Sequence, residues 1–205
     1  MSPVVILTLR DPDRHGCGSG DGCACGDGGP ARVPVLACAD ALREAGATAE
    51  LVTAGSDADI DVVVKRVVAG EARLVVAAAT DAEVRAVVRR AVRLLAPPPS
   101  QRPDDLPANR TVPDLPPLAV LPLAPAVPPL CTALGLPTAP ADVAMATLDG
   151  RVRRWDLLRT EGSVTLHSVL LGGFDGSAPA PLQARIEVDD TVLSDGSEIV
   201  LAAAI

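Results

Sequence analysis

The densest chemistry in the sequence lies in one glycine-rich run, His15-Gly-Cys17-Gly-Ser-Gly-Asp-Gly-Cys23-Ala-Cys25-Gly-Asp27. Three thiols and one imidazole fall close together, and these are the ligand types of Zn²⁺ and of iron–sulfur clusters. Glycines let a short backbone wrap a metal ion, because they accept conformations that side chains forbid. His15, Cys17, Cys23 and Cys25 are therefore the candidate metal ligands, for zinc or for an iron–sulfur cluster. The spacing matches no paired Cys-x-x-Cys signature, so two other readings stand beside it. One is a solvated Gly/Asp/Cys loop with exposed thiols. The other is a redox-active or regulatory pair, Cys23 and Cys25, whose disulfide would be tight, strained and easily reduced. The remaining cysteines, Cys38 and Cys131, fall in helical patterns and are expected to pack in the core.

Elsewhere the chemistry is sparse. The second histidine, His167, lies in a strand pattern and reads as structural; with two histidines and no motif around either, no Ser-His-Asp arrangement can be built. Asp57, Asp59 and Asp61 crowd the start of a helical pattern, where acidic groups suit the positive end of the helix dipole. Arg85, Arg89, Arg90 and Arg93 run along another helix, as a solvated face or as a face for an acidic partner. Trp155, the one tryptophan, reads as packing.

Composition narrows the classes. The chain has 205 residues, 48% of them hydrophobic, which is enough for a real core and argues against a disordered chain. Aromatics make up 1%, so the core must be aliphatic, as suits a parallel sheet buried under helices. A net charge of −8, with Lys65 the only lysine, argues against a nucleic-acid partner. No apolar run is long enough to cross a bilayer. The N-terminus reads as a strand rather than a secretory leader, and the odd count of five cysteines does not suit a secreted disulfide framework; a cytoplasmic setting is expected.

The elements that must position these residues alternate in the first half. Strands are predicted at 4–9, 49–54, 74–79 and 118–123, and helices at 35–45, 56–69 and 80–95. Thr80 with Glu83 three residues on forms a capping box at the third helix. Residues 11–30 form the Cys-rich loop and residues 96–117 a Pro-rich linker. Short helices are predicted at 130–134 and 141–148. The pattern then changes to consecutive strands, at 151–159, 163–171, 183–189 and 198–203. The fold class is α/β: an N-terminal doubly wound, mostly parallel sheet, followed by a small antiparallel, β-sandwich-like part. The domains are expected at 1–148 and 149–205.

Several segments resemble the catalytic domain of diacylglycerol kinases, relatives of NAD kinases. Leu118-Ala-Val-Leu-Pro-Leu123 followed by Ala133-Leu-Gly-Leu-Pro137 looks like that family's fourth strand and next helix. Asp149-Gly-Arg-Val-Arg-Arg-Trp-Asp156 is similar to the opening of its second domain, and Gly172-Gly-Phe-Asp-Gly176 to its Gly-Phe-Asp turn. Ile186-Glu-Val-Asp189 and residues 199–203 look like later sandwich strands, and Asp11-Pro12 stands where the family often has Asn-Pro. The resemblance implies an α/β domain, a β domain, and ATP with Mg²⁺ between them.

The nucleotide motifs depart from the family. Its Gly-Gly-Asp-Gly-Thr turn, whose glycines let amides approach phosphates, reads here Ala78-Ala-Thr-Asp-Ala82. Its Gly-Thr-Gly-Asn-Asp reads Ala124-Pro-Ala-Val-Pro128, where prolines remove backbone donors. The family also continues past the strand matching 199–203, whereas this chain ends at Ile205, so a shortened second domain is expected, with an unpaired sheet edge that invites a protein partner or a homo-oligomer. The resemblance with these departures therefore implies a kinase-like protein without catalysis, a binding or accessory subunit with the Cys-rich loop as its candidate metal site. The alternative is an active ATP-dependent lipid kinase with divergent motifs, for which Asp81 and Asp175 are the polar candidates.

Overall fold

The structure is a computed structural model, and it describes residues 3–10, 32–96, 113–123, 127–160, 163–166, 170–175, 178–188, 191–199 and 202–204. The chain divides into two compact units, the first running to Trp155 and the second from Asp156.

The first unit begins with β1 (Val4–Leu9), α1 (Arg32–Glu44), β2 (Ala49–Ala54), α2 (Asp57–Val68), β3 (Arg73–Ala78) and α3 (Asp81–Leu95), and continues with β4 (Leu118–Pro122), α4 (Pro129–Leu134) and α5 (Pro140–Asp149). The four strands form one parallel sheet in the order β2-β1-β3-β4. Val4, Val5, Ile6 and Leu7 of β1 are all fully buried. A strand apolar on both faces must be covered on both faces, and the helices do this. On one side Val35, Cys38, Ala39 and Leu42 of α1 and Val143 and Ala144 of α5 pack with Val4, Ile6, Val75, Ala77 and Leu121. By strand alternation Val5, Leu7, Leu74 and Val76 face the other way, the side left to α2 and α3. Those helices bury Ile60, Val63, Val64 and Val67, and Val84, Val87, Val88, Ala91 and Val92. Both sets follow the i, i+3, i+4, i+7 spacing of one helix face. They are rich in β-branched valine, a middling helix former, so packing and not propensity holds these helices in place.

The α1 helix starts earlier than the sequence pattern implies. Pro34 falls within its first turn, where the missing N–H is not needed for a helical bond. The α2 helix closes at Gly70, φ +74°, with Gly70 N–H donating to Val67 O and Glu71 N–H to Arg66 O. This paired return satisfies two of the terminal carbonyls, and its left-handed residue favours glycine.

The second unit holds short antiparallel groups. β5 (Leu158–Thr160) pairs with β6 (Ser163–Thr165); β7 (Leu170–Asp175) lies between β8 (Ala178–Ala180) and β11 (Ala202–Ala204); β9 (Arg185–Val188) pairs with β10 (Thr191–Asp195). Two expectations are corrected here. The expected strand at 151–159 is irregular up to residue 157, and the Gly-Phe-Asp turn is part of strand β7. Gly172 pairs with Ala202 and Gly173 with Ala180, so cross-strand pairing overrides the turn preference of two adjacent glycines. Among the described residues no helix is long and apolar enough to cross a membrane.

Candidate functional site

In an open parallel sheet, ligands bind at the carboxyl ends of the strands, where the strand order reverses. Here the order β2-β1-β3-β4 puts that reversal between β1 and β3. The helices that follow β2 and β3 along this edge, α2 and α3, carry their own anions in their first turns.

At the end of β3, Thr80 has an extended backbone and caps α3, its hydroxyl accepting from Glu83 N–H at 3.4 Å. Glu83 reaches back: its Oε2 accepts from the amides of Ala79 at 2.6 Å and Thr80 at 2.9 Å. These amides belong to the turn where the kinase resemblance expects a glycine-rich phosphate cradle. At the end of β2 the arrangement repeats. Ser56 caps α2, and Asp59 Oδ2 accepts from Gly55 N–H and from Ser56 Oγ, each at 2.9 Å. The Ser56 hydroxyl, then the Gly55 amide, hold the Asp59 carboxyl below the usual carboxylate range. The third carboxylate is Asp81, whose Oδ1 accepts from Leu130 N–H at 3.0 Å in the first turn of α4. Proline at the α4 cap and first position leaves that helix no capping side chain of its own, and a residue 49 positions away in sequence supplies one.

Among the described residues of this edge, the amides of Gly55, Ala79, Thr80 and Leu130 thus already donate to internal carboxylates. A phosphate placed on the Ala79 and Thr80 amides must displace Glu83 and remain beside it. At a separation of about 4 Å and an effective dielectric of about 20, each pair of unit negative charges costs about 4 kcal/mol. Beside this edge lies a shallow open depression of about 170 Å³, bordered by Arg10, Gly55, Ser56, Asp57, Ile60 and Ala86. It is smaller than the roughly 300–1,000 Å³ of ordinary small-molecule pockets.

Four charged residues of α2 and α3 pair across the two helices. Arg90 Nε donates to Asp61 Oδ1 at 2.6 Å, and Arg90 and Arg89 each reach Asp57 at 3.2 Å. Two members of the arginine stripe, Arg89 and Arg90, therefore meet carboxylates of the same chain, and Asp57 and Asp61 are ion-paired instead of simply solvated. Arg90, chiefly through its hydrogen bond, holds the Asp61 carboxyl below its ordinary range.

The predicted metal ligands His15, Cys17, Cys23 and Cys25 lie outside the described residues, as does His167. Among the described residues no group of three His, Cys, Asp or Glu side chains could hold a metal ion. Cys38 and Cys131 are buried free thiols, as their helical patterns imply. Burial pushes Cys38 up to about 11, and burial followed by the Asp81 charge raises Cys131, so neither is a thiolate at neutral pH. Trp155 is 49% exposed. Asp175 lies on β7 with its backbone paired to Ala178, in a different unit from Asp81.

The acceptor role of Asp59 was missed from sequence, although Ser56 and Asp59 stand at the spacing of a capping pair. The Asp81 contact had no local signal. No protein-family model matches the chain, and no curated protein sequence does.

Proposed function

We propose that this chain is a diacylglycerol kinase-like protein without phosphoryl transfer, acting as a binding or accessory subunit in the cytoplasm. The observation that carries this is the occupation of the Ala79 and Thr80 amides by Glu83. Phosphoryl transfer depends almost wholly on positioned donors and cations around the phosphates. In this chain the donors of that turn face a carboxylate. Asp81, the one polar candidate of the turn for the alternative of an active kinase, is engaged as the cap of α4.

The accessory role includes the Cys-rich loop. It follows β1 in sequence, and its thiolates and imidazole would hold zinc or an iron–sulfur cluster through His15, Cys17, Cys23 and Cys25. Incubation with radiolabelled ATP, Mg²⁺ and diacylglycerol vesicles tests the loss of catalysis. No labelled lipid is expected above a protein-free control, and time-dependent labelling proportional to protein would sink it. Elemental analysis of protein purified without oxygen tests the loop. Stoichiometric zinc or iron, lost in a Cys17/Cys23/Cys25→Ser variant, is the expected result; metal-free protein removes that role.

A further inference from the structure

The two edges of the parallel sheet differ. Val4 N–H donates to Thr48 O and Arg10 N–H to Ala54 O, with Val4 opposite Ala49 in register. In a parallel ladder this alternation sends the backbone groups of Glu50, Val52 and Ala54 toward β1. The N–H and C=O groups of Ala49, Leu51 and Thr53 therefore point outward. Among the described residues no strand pairs with that side of β2. On β4, Leu123 N–H donates to Ala78 O. The same alternation turns Leu118, Val120 and Pro122 outward, and Pro122 has no N–H to offer. Among the described residues one edge is blunted by proline and the other is open.

We propose that β2 is the pairing edge of a two-fold homodimer. A two-fold axis normal to the sheet at Leu51 sets Leu51 against Leu51 of the second copy, and Ala49 against Thr53 in both directions. Each outward N–H then meets an outward C=O, and both sheets join antiparallel. Three features single out a second copy as the occupant. The three outward residues carry no charge, so no like charges meet across the axis. Glu50, the strand's one charge, is neutralised within the chain by Arg66 through bonds of 3.0 and 2.9 Å. Pro122 on the far edge stops head-to-tail growth, so the pairing closes at two copies. Leu51, 44% exposed, becomes the apolar centre of the contact. This inference does not depend on the kinase resemblance.

Sedimentation of the full chain over a wide concentration range tests it. The wild type is expected to dimerise reversibly. Leu51→Lys and Leu51→Glu each put like charges at the axis and remove apolar area, and each should weaken the dimer by about tenfold or more. An equimolar mixture of the two should restore it. A wild type that stays monomeric at millimolar concentration overturns the proposal, and so do charge variants that dimerise as the wild type does. Amide exchange on the unmodified chain gives an independent readout: the Leu51 N–H should exchange more slowly as concentration rises, and exchange that ignores concentration overturns the pairing.

Discussion

Replacing Glu83 by alanine removes the carboxylate that accepts from the Ala79 and Thr80 amides at the start of α3. The Thr80 hydroxyl remains to cap the helix, so only half of the reciprocal pair is lost. Loss of a capping acceptor costs about 0.5–2 kcal/mol, and loss of a negative charge at a helix N-terminus a further ~0.3–1 kcal/mol. Thr80 is exposed and water can resolvate its amide, whereas Ala79 is half-buried, so the sum sits near the middle, about 2 kcal/mol. For a chain of this size each kcal/mol moves the melting temperature by about 2–4 °C. Thermal and urea unfolding followed by circular dichroism should therefore show Glu83→Ala melting about 4–8 °C below wild type. Glu83→Gln keeps the length and an acceptor and should lose about half as much. A Glu83→Ala variant within about 0.5 kcal/mol of wild type would refute the claim that this carboxylate holds the turn.

Other parts of the structure give independent tests. A Cβ on Gly150 would lie 2.2 Å from Ala146 O and 2.8 Å from Ala146 Cα, so Gly150→Ala must displace the end of α5 and should lower the urea midpoint by the equivalent of about 1–3 kcal/mol. Asp61 and Glu50 titrate below their ordinary range through Arg90 and Arg66. Their folded pKa values are depressed, so the stability they contribute is complete above the unfolded carboxyl range, near pH 4–5, and is lost as pH falls through the folded values; Arg90→Met should flatten that acid limb. In native protein at pH 8 an alkylating reagent should leave Cys38 and Cys131 unmodified and should label both in denaturant; rapid native labelling of either would contradict their burial.

The α/β half was legible because its signals are local and agree with one another. The continuous apolar run of β1, the Thr80–Glu83 box and the i, i+3, i+4 valines of α3 each name one element, and each element is there. The boundary that moved most there is the start of α1: the apolar pattern begins at residue 35, whereas the first turn of a helix tolerates Pro34 and the helix extends back to Arg32. The β part was less legible. Its strands are three to six residues long, too short for periodicity to compete with glycine and proline turn signals, so β8 and β10 carry no strand pattern of their own and the glycines of β7 resemble a turn. At the candidate site the same division holds. Glu83 is visible in the sequence as a cap but not as the acceptor of the Ala79 amide at the end of β3, which needs the place of β3 in the sheet. Asp81 was taken for a polar candidate because its partner, Leu130, is joined to it only by the tertiary fold.

The most direct test of the central claim is calorimetric titration of the full chain with Mg²⁺–ATP, with Asp81→Ala in parallel. If Glu83 and Asp81 hold the Ala79, Thr80 and Leu130 amides against nucleotide, wild type gives no saturable heat at millimolar nucleotide. Saturable, magnesium-dependent binding of one ATP per chain, abolished by Asp81→Ala, would contradict the account and favour the alternative of an ATP-dependent enzyme.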